Sequence, residues 1–125
     1  MRWVLFRSAD ADPNAVERDA ASLTAFIEAT DDATRALLRR IATTTVRGET
    51  LRMRDLADEL ELAPQALHDT VARLNAEVLD DDRELLELRN DVTVGLNGRV
   101  GTMTFISMRP ALARVVRSMA NTVDD

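Results

Sequence analysis

A chain of 125 residues with 46% hydrophobic content suffices for one compact domain with a modest core, and is short for two. With no cysteine and one histidine, it excludes a disulfide framework and a thiolate or histidine-rich metal site. All 16 basic residues are arginine, against 22 carboxylates and a formal charge of -6, so nucleic-acid binding requires arginines gathered on one face.

Arginine without lysine fits a GC-rich genome, and the acidic balance also suits a salt-loving cytoplasm; neither names a function. No run of about 18 apolar residues is present for a membrane span. The apolar part of the start, MRWVLFRSADADP, is too short for a secretory signal. A cytoplasmic protein with no membrane partner is expected.

Residues 2–7 (RWVLFR) read as a short strand that must pair with something distant. After a turn-prone stretch, residues 14–29 carry Val16, Ala20, Leu23, Phe26 and Ile27 at helical spacing. Thr30, Asp31 and Asp32 are capping residues that place negative charge at the start of a second helix, 33–44, with Leu37, Leu38 and Ile41 on one side. Residues 51–53 alternate like a small strand. The segment 51–79 then has the spacing of two short helices around a turn. Leu56, Ala57 and Leu60 face inward from the first helix (54–60), and Leu62 plugs the turn. Pro64 opens the second helix (64–79), whose inner stripe is Leu67, Val71, Leu74 and Val78.

Beyond the acidic turn 80–82, residues 84–88 and 91–96 read as two strands, with Asn90-Asp91 as the tight turn between them. Residues 97–101 read as a flexible loop and 102–107 (TMTFIS) as a further strand, a candidate partner for 2–7 within one subunit or across a dimer. Pro110 opens a last helix to residue 123 containing Leu112, Val115, Val116 and Met119.

The order helix, strand, helix, helix, strand, strand over 30–96, with Leu56-Ala57 and the Leu60-x-Leu62 turn as its best points, resembles the winged helix-turn-helix superfamily of bacterial and archaeal transcription regulators. The resemblance implies an α+β, mostly α fold. It places a winged helix-turn-helix core at 30–96 in a single domain spanning 1–125, with flanking segments 1–29 and 97–125 that dimerise. Regulators of the MarR and PadR types are similar in general layout. Asp82-Arg83 is only loosely similar to the acidic-arginine cluster of a MarR wing, so the superfamily is what carries over.

The resemblance makes 64–79 the recognition helix, with Gln65, His68, Asp69, Ala72 and Arg73 outward. Gln65 can pair with adenine, Arg73 can reach guanine or phosphate, and His68 can donate to either. Asp69 is awkward beside phosphates. Arg83 and Arg89 in the wing, and Arg52 and Arg54 at the start of the motif, can hold the DNA backbone. Each also has an ordinary reading: His68 as a plain surface residue, and Arg39 and Arg40 as solvated partners of nearby acids.

The apolar stripes of 14–29 and 110–123 exceed what a small winged domain covers. Leu23, Phe26, Leu112, Val115, Val116 and Met119 are therefore expected at a homodimer interface. Asp80 to Asp82 lack the spacing and glycine of a calcium loop, and no triad or nucleotide loop is legible, so neither an enzyme nor a cofactor is expected. Two functions remain. The first is a sequence-specific, dimeric regulator bound to double-stranded DNA, which the wing arginines favour. The second is a winged-helix protein-protein interaction module, such as an adaptor or a virus-encoded inhibitor that mimics DNA, which the acidity favours.

Overall fold

The computed structural model describes residues 13–79 and 84–123. The predicted strand 2–7, the acidic turn 80–82 and Arg83 lie outside the described residues. The fold is α+β and mostly helical, with five helices and a two-stranded antiparallel sheet among the described residues.

Helix α1 (Pro13–Ala29) opens on proline, whose missing N–H costs nothing in a first turn. It buries Ala15, Asp19, Leu23 and Ile27, a strict four-residue stripe. Helix α2 (Asp32–Val46) starts where expected: the Asp31 carboxylate accepts from the Thr34 N–H at 2.7 Å. The helix stops at Gly48, whose φ of +70° lets the chain turn back so that the Glu49 N–H reaches the Thr44 carbonyl at 3.0 Å.

Helix α3 (Met53–Glu59) and helix α4 (Pro64–Glu77) follow with a tight turn between them. Glu61 takes a left-handed φ of 56° there, and the Leu62 N–H returns to the Ala57 carbonyl at 2.9 Å. Leu62 does not plug this turn: it is 39% exposed, because the left-handed residue before it swings the side chain outward. The inner stripe Leu67, Val71, Leu74 and Val78 is buried as expected.

The sheet differs most from expectation. Strand β1 (Leu86–Val94) runs straight through Asn90-Asp91 and pairs with strand β2 (Val100–Met108), from Leu86 opposite Met108 to Val94 opposite Val100. Nine cross-strand pairs override the local turn preference of the Asn-Asp dipeptide. The real turn lies at 95–99, where the Gly95 N–H donates to the Arg99 carbonyl at 2.8 Å and Gly98 supplies a φ of +78°. Residues 102–107 therefore pair with β1, and on their other edge the Ile106 N–H donates to Leu51, with Arg52 bridging Phe105.

Helix α5 (Pro110–Val123) begins directly after β2 and packs on α1 and α2. Core side chains from every element meet in one cluster, including Leu23, Leu38, Ile41, Leu56, Leu74, Leu86 and Leu112. Two polar devices lock this arrangement. Asn75 on α4 exchanges two 2.9 Å hydrogen bonds with the backbone of Leu86, fixing the start of the hairpin. Arg109, fully buried, forms an ion pair with buried Asp19 at 2.5 Å while its carbonyl accepts from the first N–H groups of α5. Among the described residues no helix is long and apolar enough to cross a membrane.

Candidate nucleic-acid interface

Helix α4 exposes Gln65, His68, Asp69, Ala72 and Arg73, as helical periodicity requires once Leu67, Val71 and Leu74 are turned inward. The first turn of α4, the first turn of α3 and the middle of β2 surround an open groove of about 350 Å³. Arg52, Arg54 and His68 line it with Met53, Asp58, Pro64, Leu67 and Thr102 to Thr104. The strand-like bridge of Arg52 to Phe105 brings β2 alongside α3 and so closes one wall. Two arginines against one carboxylate make this groove locally cationic in an acidic protein, and the N-terminal end of α4 adds its unpaired N–H groups.

The other predicted contacts stand apart from that groove. Gln65 donates from Nε2 to the Asp69 carboxylate at 2.9 Å, which gives Asp69 a partner but engages the amide that would read adenine. Arg73 lies far enough along α4 to act on Asp31. The Thr34 hydrogen bonds do most to hold the Asp31 carboxyl below its ordinary range, and the Arg73 and Arg35 charges add to them. Arg89 is exposed on the hairpin, with its guanidinium 5.1 Å from the Phe105 ring centre and 3.4 Å from Asp91.

Arg40 behaves as a partner of an acid. It binds Glu59 of α3 through two hydrogen bonds of 2.9 and 3.0 Å, and this contact lowers the Glu59 pKa. It also donates to Thr44 at 2.7 Å.

Three of the six residues expected at a helical interface are accounted for within one protomer. Leu23, Leu112 and Val116 are buried inside the protomer, and Phe26, Val115 and Met119 are half-buried. The stripes of α1 and α5 cover each other and α2, so a second copy is not needed to bury them. The exposed apolar surface lies elsewhere, at Val92, Val94 and Val100 on one face of the distal hairpin and at Leu96 in its turn.

Reasoning from sequence missed two features. Moving the hairpin turn to 95–99 makes Arg99 its exposed arginine, and residues 92–104 contain no carboxylate. The signal was the Gly95-x-x-Gly98 spacing, a better turn candidate than Asn90-Asp91. The Asp19–Arg109 pair spans 90 positions. Its only local trace is an aspartate between Ala15 and Leu23 on a stripe otherwise apolar. No known protein-family model matches the chain, and no curated protein sequence matches it.

Proposed function

We propose that this protein is a winged-helix transcription regulator that binds double-stranded DNA as a homodimer, with α4 in the major groove and the β1–β2 hairpin on the backbone. The observation that carries this reading is the cationic groove at the N-terminal end of α4, where Arg52, Arg54 and His68 meet the hairpin strand. Recognition helices contact bases through their N-terminal residues, and arginines beside them hold the flanking phosphates. The short segment at Leu51-Arg52, tied to β2 just before the α3–turn–α4 pair, gives the element order a winged helix would have.

Within this reading Gln65, His68 and Arg73 face the bases, while Arg52, Arg54 and Arg99 hold phosphates. Arg99 takes the part first given to Arg89. Fluorescence anisotropy with labelled mixed-sequence duplex tests it: the wild type binds at low salt, and Arg54→Ala and Arg99→Ala each weaken binding to all sequences alike. A wild type that leaves the duplex free at low salt refutes the reading.

One observation favours a second reading. The distal hairpin exposes Val92 and Val94 at 69% each and Leu96 completely, and valines displayed on a two-stranded hairpin suit a protein partner. An interaction module would use that hairpin and leave the α4 groove idle. Alanine at Val92 and Val94 would then abolish partner capture while Arg54→Ala would not.

A further inference from the structure

Away from α4, helices α1, α2 and α5 enclose an open cavity of about 460 Å³. Ile27, Ala36, Val116 and Met119 line it with apolar surface, and Glu28, Asp32, Arg35 and Arg39 stand around them. The size lies in the range of small-molecule sites, and an apolar lining with a few polar groups is their usual composition. The charged groups are not equivalent. Arg35 uses three of its five N–H donors within the protein: it donates to the Ile27 carbonyl at 2.8 Å, the Glu28 carbonyl at 3.3 Å and the Asp32 carboxylate at 2.7 Å. Asp32 thereby has a cationic partner. Arg39, one helical turn further along α2 and half-buried, has no hydrogen-bond or ion-pair partner for its guanidinium among the described residues.

We infer that this cavity binds a small organic monocarboxylate with an apolar body, its carboxylate held by Arg39 and its body resting on Ile27, Ala36, Val116 and Met119. A guanidinium presents parallel donors that match a carboxylate, and it gains most where water is partly excluded. Arg35 is held in place by both helix-end carbonyls and already faces a carboxylate in Asp32, whereas the Arg39 guanidinium is uncommitted, so the anchoring falls to Arg39. Glu28 adds a carboxylate to the rim, which disfavours dianions and limits the ligand to a single negative charge. The site stands on α1, α2 and α5 alone, so it is independent of DNA binding at α4.

Phenylacetate is the probe, with phenethylamine as its cationic counterpart, followed by amide and methyl NMR of the full chain. Phenylacetate is expected to shift Ile27, Ala36, Val116 and Met119 in a saturable manner, with a Kd of ~1 mM for so small a ligand. Arg39→Gln is expected to weaken it about tenfold, the value of a charge-assisted pair. Ala36→Leu fills the cavity from an exposed helical position and is expected to abolish the shifts with the melting temperature retained. The inference is overturned by no shifts at several times that concentration, by equal binding of phenethylamine, or by undiminished binding in Arg39→Gln. Shifts at the same residues on protein dilution without ligand would also overturn it, since they would show a second copy occupying the cavity.

Discussion

Replacing Asp19 with alanine is the sharpest single test of how this fold is held. Asp19 and Arg109 are each about 1% exposed, and they join α1 to the junction of β2 and α5. Removing one partner takes a buried ion pair apart, which costs about 3–5 kcal/mol. A domain of this size has a total stability of roughly 5–15 kcal/mol, so the change removes about a fifth or more of it. In urea, followed by far-ultraviolet circular dichroism, the midpoint should fall by about 2 M, and the melting temperature by roughly 10–20 °C. The paired replacement Asp19→Leu with Arg109→Met removes both charges and fills the space, so it should recover most of the loss. An Asp19→Ala protein within about 1 kcal/mol of wild type would refute the reasoning, and so would a double variant no better than the single one.

Leu112→Asp should unfold the chain, because Leu112 is completely buried in the protomer; light scattering showing a folded monomer derived from a dimer would restore the helical interface. Asn75→Ala should cost about 1–3 kcal/mol by leaving the Leu86 N–H and carbonyl without their side-chain partners, and hydrogen exchange should show Leu86 losing protection first. The Asp31 and Glu59 carboxyls both have folded pKa values below their ordinary ones. Their contribution to stability is therefore full above the unfolded carboxylate pKa and lost as pH falls through the lower folded values. Asp31→Asn, which keeps a capping oxygen but cannot titrate, should flatten that acid limb of a urea-midpoint profile; an unchanged profile would show that the cap does not set it.

Helices were legible in the sequence because each carries its own signals. Thr30, Asp31 and Asp32 marked the start of α2, Ala63-Pro64 separated α3 from α4, and Pro110 began α5 where it was expected. The hairpin was not, since two competing turn signals lay five residues apart and only long-range pairing with Val100 to Met108 decides between them. The same shift adds Arg99, in the true turn, to Arg89 as an exposed arginine of the hairpin. Leu62 was misread because the left-handed Glu61 has no mark in its side chain. The helical dimer interface lost support for a different reason. Apolar stripes show that a surface is buried but not what buries it, and here α1, α2 and α5 bury one another.

The central claim, that the α4 groove binds DNA, is tested most directly by duplex affinity across a salt series. Retention at low salt with log Kd rising linearly against log salt is expected, with a slope of about 0.9 for each phosphate contacted. Arg54→Ala and Arg99→Ala should each lower that slope by about one. Undetectable binding at the lowest salt at which the chain stays folded, or a slope that neither variant changes, would contradict it.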